Sequence, residues 1–265
     1  MYHKPVKKHY GQHFLVDISV LDEIVRSIKL VSQDRVFEIG PGSGQLTCQL
    51  LPMCEALTAV EIDQDCFQYL METVRPKYKH LNLVYEDILQ YDFGRLDDGG
   101  RPYRIVGNLP YNIATEIMMR MRDYRHLFVD ATFMVQKEVA LRCQAQPGCS
   151  DYSLLSVMLQ TYFQVVLLFD VDPKAFDPPP KVVSSMIWLK PLSDDQIGKI
   201  PRSFHKIVAM AFNQRRKMIR QSLKSLVKAQ EWLMLDLDGS ERPETLSVDQ
   251  FRCLADYIDG QATKL

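Results

Sequence analysis

The chain has 265 residues, 46% hydrophobic and 25% charged, with a net charge of −1. That composition suits one large core plus a small second one. It excludes a chain-wide polycation that coats nucleic acid, and the lack of any apolar run of about 18 residues argues against a membrane-spanning helix.

The N-terminal stretch MYHKPVKKHYGQHF is basic through Lys4, Lys7 and Lys8 and has no apolar centre, so it does not read as a secretory signal. Residues 16–29 carry apolar side chains at helical spacing. RVFEIG reads as a strand running into glycines, and QLTCQLL as a helix. ALTAVEID and LNLVYEDIL read as a second and third strand, each ending in acid. YRIVGNLPY is a fourth strand, followed by the helical IATEIMMRMR. ATFMVQ is a fifth, followed by the helical KEVALRC. Strands alternating with helices of this length predict an α/β fold with a parallel, doubly wound sheet. FQVVLLFDV and VVSSMIWLK, joined by DPKAFDPPPK, predict a late hairpin added to it. Beyond Pro191 the β signal stops, and FHKIVAMAFNQRRKMIRQSLKSLV and VDQFRCLADYI predict helices. The expected organisation is an α/β domain over 1–192 and a helical domain over 193–265.

The six cysteines (Cys48, Cys54, Cys66, Cys143, Cys149 and Cys253) form no C-x-x-C pair and no metal-like spacing with histidine. Reduced thiols in a cytoplasmic protein without a metal are the expectation.

In FEIGPGSGQLT, Gly40, Gly42 and Gly44 occupy the first strand-to-helix turn, where glycine permits positive φ and close backbone approach to a ligand. The dinucleotide fingerprint fails, because position 45 is Gln, and no Gly-Lys-Ser/Thr phosphate loop follows. Glu61, at the end of the second strand, suits two ribose hydroxyls. Asp87, after the third, suits an adenine amino group, with Ile88 packing on the ring. Taken singly, each feature is equally a tight turn or a helix cap. Their succession at neighbouring strand ends favours a nucleoside site, and S-adenosylmethionine fits it as an adenosine without phosphate that carries an activated methyl group.

GNLPY, at the end of the fourth strand, supplies the acceptor side. Asn108 does not titrate near neutral pH, but its oxygen accepts a hydrogen bond. Leu109 precedes proline and is biased to an extended backbone, and Pro110 fixes the next turn. The Asn108 oxygen and the Leu109 carbonyl then converge on one spot suited to an –NH2 group, and Tyr111 offers a face for a base to stack on.

Across nearly its whole length the chain resembles the rRNA adenine dimethyltransferases, and among them the bacterial small-subunit (16S) enzymes of kasugamycin sensitivity. The matching motifs are YGQHFLVD, VFEIGPGSGQLT, VEID, EDIL, VGNLPYNIATEI, MVQKEVALR, FDPPPKVVSS, FNQRRKMIRQSL and LSVDQF. The resemblance implies a Rossmann-like S-adenosylmethionine-dependent methyltransferase domain followed by a small all-helical domain. It implies that His13, Leu15, Gly40, Glu61, Asp87 and Asn108 contact S-adenosylmethionine, that Asn108, Leu109 and Tyr111 hold the target base, and that Phe176 stacks on its other face. The implied reaction is N6,N6-dimethylation of two adjacent adenosines near the 3′ end of 16S rRNA, by a cytoplasmic monomer whose partner is the small ribosomal subunit. The chain departs from the family pattern at His13, where Asn is usual, and at Val183, where an acid is usual.

Between Ser203 and Gln230 there is no acid, whereas Arg215, Arg216, Lys217 and Arg220 cluster in FNQRRKMIR. A solvated helical face explains the charge alone equally well; with the resemblance, the cluster is expected to contact RNA phosphates. Two alternatives stay open. One is a large-subunit methyltransferase of the macrolide-resistance type, which tends to read NIPY and to lack FNQRRK. The other is a small-subunit assembly factor whose methyl transfer is secondary.

Overall fold

The structure is a computed structural model that describes residues 13–235 and 237–262. In chain order it runs β1 (Phe14–Leu15), α1 (Ile18–Ile28), β2 (Arg35–Ile39), α2 (Gln45–Leu50), β3 (Ala56–Glu61), α3 (Gln64–Thr73), β4 (Leu81–Tyr85) and β5 (Tyr103–Asn108). It continues α4 (Ala114–Met121), β6 (Phe128–Gln136), α5 (Lys137–Gln144), α6 (Leu154–Gln160), β7 (Phe163–Val171), β8 (Phe176–Asp177) and β9 (Ser184–Pro191). The remaining helices are α7 (Asp194–Ile197), α8 (Phe204–Asn213), α9 (Ile219–Ser222) and α10 (Val248–Ala262), with 3-10 turns between elements.

The expected α/β sheet is present as seven strands in the order β4-β3-β2-β5-β6-β9-β7. The pairs from β4 through β6 are parallel, and β9 runs antiparallel to β6. Val36, Phe37, Ile39, Ile105, Val106, Phe133 and Val135 are all buried, as interior strands of a parallel sheet require. The two late β runs are sheet neighbours, but the second in sequence is the inner one. β9 adds to β6 and leaves β7 on the edge.

The sequence pattern did not announce a two-stranded ladder away from the main sheet. There β1 pairs antiparallel with β8, placing Phe14 opposite Asp177 and Leu15 opposite Phe176. Val16 and Asp17 then donate to the Ala175 carbonyl at 2.8 and 3.2 Å, and the Asp17 carboxylate caps α1 by accepting from Ser19 N at 2.8 Å.

Two compact units emerge. The first runs to Ala140 and resumes over Val165–Pro191. The second takes Leu141–Gln164 together with the chain from Leu192 onward. In the second, α8 and α10 bury Phe204, Ile207, Val208, Ala211, Phe251 and Leu254. The basic FNQRRKMIR stretch, which the sequence allows as one helix or two, is divided between two. α8 stops at Asn213, Gln214 leaves helical geometry (φ −121°, ψ 46°), and α9 starts only at Ile219. The amides of Ile219 and Arg220 go to the carbonyls of Glu241 and Gly239, at 2.7 and 3.1 Å. Among the described residues no helix is long and apolar enough to cross a membrane.

Candidate active site

The strand order sets out the site along one edge of the sheet. At or just past the carboxyl ends of β4, β3, β2 and β5 stand, in that spatial order, Asp87, Glu61, the glycine turn and Asn108. The order in which the chain adds strands across the sheet reverses between β2 and β5, which is where an open α/β sheet leaves a crevice at its carboxyl ends. A cavity of about 290 Å³ lies there in the first unit, walled by His13, Leu15, Gly40, Glu61, Asp87, Asn108, Leu109 and Tyr111, among others.

The glycine turn is held open by its own geometry and by Glu61. Gly40, Gly42 and Gly44 have φ of 65°, 55° and 80°, a region other residues enter only with strain. Glu61 is 5% exposed. Its Oε2 accepts from Gly42 N at 2.9 Å and its Oε1 from Asp63 N at 2.7 Å, so one carboxylate ties the glycine turn to the start of α3. Burial pushes its carboxyl above the usual range, and the two backbone amides oppose that shift. Each oxygen keeps a lone pair for a further donor.

Asp87 organises the next loop. Its Oδ1 accepts from Leu89 N at 2.9 Å, and its carbonyl accepts from Gln90 N at 2.8 Å and Tyr91 N at 2.9 Å. Ile88 is buried and lines the cavity.

At the other end, Asn108 donates through Nδ2 to the His13 carbonyl at 3.1 Å. That bond settles which way the amide faces, with Nδ2 occupied and Oδ1 left as acceptor. Leu109 N goes to the Met134 carbonyl at 3.1 Å, and the Pro110 carbonyl takes the amides of Ile113 and Ala114 at 3.1 and 3.0 Å. Among the described residues no donor is placed on the Leu109 carbonyl or on Asn108 Oδ1. Tyr111 is held from two sides. Its hydroxyl shares a 2.7 Å hydrogen bond with the buried Ser184 Oγ, and its ring stacks on His13 with centroids 5.8 Å apart. Burial pushes its phenol up, and the Ser184 bond pulls the other way. The His13 Nδ1 lies 2.8 Å from the Pro178 carbonyl, so the ring that supports Tyr111 is itself anchored to the segment after β8.

Phe176 does not join them. It is 3% exposed, sits opposite Leu15 in the β1–β8 ladder, packs into the main core and is absent from the cavity wall. In this structure it offers no face to a base.

Sequence reasoning passed over Glu38. It lies in β2, is 2% exposed and lines the cavity, with its Oε2 accepting from Thr47 Oγ1 at 2.7 Å. The available signal was an acid within the apolar run VFEIG. Burial pushes its carboxyl to about 7, against the Thr47 bond and reinforced by the nearby Glu61 charge. Because the folded-state value lies above the ordinary one, the proton favours the fold, fully below about pH 4.5 and less as pH rises through 7. Glu38→Gln, which mimics the protonated acid, is therefore expected to raise the melting temperature at pH 8, by a stabilisation on the order of 3 kcal/mol, and to leave it nearly unchanged at pH 4.5. The ionised acid also favours a cationic ligand. Affinity for such a ligand should rise with pH through 7 in the wild type and rise less in the variant, by calorimetric titration.

The four basic residues of the second unit divide. Arg215 Nε pairs with Glu244 Oε2 at 2.7 Å, and its guanidinium also donates to the Ser150 carbonyl. Arg216, Lys217 and Arg220 are exposed. Arg216 and Lys217 lie in the turn between α8 and α9 and pair with no acid among the described residues. Arg220 lies near Asp238 and helps hold its carboxyl below the usual range, after the Ser240 hydrogen bonds. Lys4, Lys7 and Lys8 lie outside the described residues.

The family model described as ribosomal RNA adenine dimethylase matches residues 3–260. The chain is 44% identical over 255 residues to the ribosomal RNA small subunit methyltransferase A of Bordetella pertussis, covering 95% of this chain and 94% of that one. It is 40% identical over 264 residues to the protein of the same name from Pseudomonas fluorescens, covering 99% and 97%. Among solved structures, it is similar to a dimethyladenosine transferase from Plasmodium falciparum, with a TM-score of 0.81 at 25% identity over 94% of this chain and 98% of that one. The 23S rRNA methyltransferase ErmE shares the fold, with a TM-score of 0.69 at 24% identity over 93% and 99%.

Proposed function

The chain belongs to the ribosomal RNA adenine dimethylase family, and on that premise we propose that it methylates N6 of two adjacent adenosines near the 3′ end of small-subunit (16S) rRNA. The observation that carries this reading is the shared cavity, with nucleoside-type acceptors at Asp87 and Glu61 and the Asn108–Leu109 acceptor pair at its β5 end. S-adenosylmethionine supplies the activated methyl group. Asp87 takes the adenine amino group of this cofactor, Ile88 packs on its ring, Glu61 takes the ribose hydroxyls, and the glycine turn lets the backbone approach.

The target base stacks on Tyr111. Its N6 is a weak nucleophile, because the lone pair is delocalised into the ring. Asn108 Oδ1 and the Leu109 carbonyl accept its two N–H bonds and favour a more tetrahedral nitrogen. That arrangement would turn the lone pair toward the activated methyl group that the bound cofactor supplies, and the surplus N6 proton would leave to water. Fixed acceptors aimed at a nitrogen that gains positive charge are electrostatic catalysis, and the rest is positioning. A monomethylated N6 keeps one N–H for one acceptor, which permits a second transfer. An adenine within folded rRNA has to be turned out to enter. Arg216, Lys217 and Arg220 hold rRNA phosphates, giving the second unit a part in retaining the chain on a maturing particle. The enzyme acts as a single chain in the cytoplasm.

The test uses labelled S-adenosylmethionine with small subunits that lack these methyl groups, counting label per particle and mapping it by nuclease digestion. The expected result is four methyls, as N6,N6-dimethyladenosine at adjacent positions. Label only in large-subunit rRNA would transfer the chain to the resistance branch.

A further inference from the structure

Arg120 sits in the last turn of α4 and is half-buried. Its guanidinium makes no ion pair among the described residues. It spends two nitrogens on one loop, with Nη1 donating to the Ile88 carbonyl at 2.6 Å and Nη2 to the Tyr91 carbonyl at 2.9 Å. Phe93 backs it, with Cζ 5.6 Å from the ring centroid. Ile88 and Tyr91 are both buried, so these carbonyls have little access to water. Residues 87–91 are thus closed from within by Asp87, which takes the amides of Leu89, Gln90 and Tyr91, and from outside by Arg120, which takes two carbonyls.

The same helix starts at the acceptor loop. The Pro110 carbonyl accepts the amides of Ile113 and Ala114, so α4 grows directly out of 108–112. One rigid element therefore carries the methyl-acceptor loop at its N-terminal end and grips the loop of Asp87 and Ile88 at its C-terminal end.

We propose that Arg120 is a positioning residue for the cofactor's adenine, holding Asp87 and Ile88 at a fixed setting relative to the Asn108 loop. The inference rests on the proposed seat of adenine at Asp87 and Ile88. An arginine is required because its planar fork reaches two carbonyls at once, whereas a lysine ammonium on its flexible stem does not hold both in a fixed geometry. Losing charge-assisted bonds to two part-buried carbonyls releases the loop and is expected to cost on the order of tenfold in cofactor affinity.

Calorimetric titration with S-adenosylhomocysteine and with its 6-oxo analogue, S-inosylhomocysteine, tests this on the full chain. Wild type should prefer the adenine form, since only that form gives Asp87 an amino group. Arg120→Met should weaken S-adenosylhomocysteine about tenfold and lose most of the preference, with Arg120→Lys in between. The turnover number at saturating cofactor should stay within about twofold. Wild-type affinity and preference in Arg120→Met would overturn the inference, as would equal weakening of both ligands with the preference intact, the mark of a merely structural role. A wild type with no preference would overturn the adenine seat instead. Should Arg120→Met fail to fold, Arg120→Lys decides, and unchanged affinity and preference in it would overturn the proposal.

Discussion

Asn108→Ala is expected to lower single-turnover methyl transfer by roughly 10²–10³-fold while binding to small ribosomal subunits is retained. That is the usual scale for removing one fixed electrostatic partner of a reacting atom. Alanine removes the Oδ1 acceptor that the proposed mechanism directs at N6, and it also removes the 3.1 Å bond that joins β5 to the His13 carbonyl. Asn108→Asp separates the two effects. Aspartate is the stronger acceptor, but it has no N–H for the His13 carbonyl, and two oxygens would then face each other. A large loss in Asn108→Asp shows that orientation by the N-terminal segment matters as much as the acceptor. A small loss shows that acceptor strength dominates. If Asn108→Ala kept near-wild-type transfer, the two-acceptor mechanism would fall. Asn108 is only partly buried and is the last residue of its strand, so both variants are expected to fold, which near-UV circular dichroism checks.

What the sequence made legible is what neighbouring residues and strand periodicity encode. The apolar runs ending in Glu61, Asp87 and Asn108 read as strands with polar ends, and parallel pairing then forces those ends onto one edge. The support around them was not legible, because it comes from distant parts of the chain. Asn108 is oriented by His13, which is 95 residues away in sequence. Tyr111 is tethered by Ser184, 73 residues away. The resemblance implied that Phe176 stacks on the target base, but its pairing with Leu15 across a two-residue ladder carries it into the core, and so short a ladder leaves no periodic signal. Arg120 read as one charge on an amphipathic helix, and only the fold shows that it faces two carbonyls. In the second unit, helical spacing left open whether the basic stretch was one helix or two; the break at 214–218 is fixed by carbonyls from Gly239 and Glu241, which take the Arg220 and Ile219 amides.

That break turns the basic cluster into a sharper prediction. Arg216 and Lys217 project from the turn between α8 and α9, are exposed, and pair with no acid among the described residues, so their charge is available to phosphates. Arg215 is already committed to Glu244 and to the Ser150 carbonyl. Arg220 donates its amide to Gly239 and lies near Asp238, so reversing its charge would set two acids against each other. The double variant Arg216→Glu, Lys217→Glu is therefore the clean probe. Each lost phosphate contact removes roughly 0.7–0.9 from the slope of log affinity against log salt. The double variant should bind small subunits about 10–100-fold more weakly near 0.1 M salt, with a slope shallower by about 1.4–1.8, and should keep its affinity for S-adenosylhomocysteine. Arg215→Ala should behave differently, lowering the melting temperature of the second unit because it leaves Glu244 and the Ser150 carbonyl without their partner. Filter binding across a salt series measures the slope, and calorimetry measures the cofactor arm. An unchanged slope in the double variant would remove this turn from the RNA interface. A slope that falls while cofactor affinity stays constant would place rRNA recognition in the second unit and methyl transfer in the first.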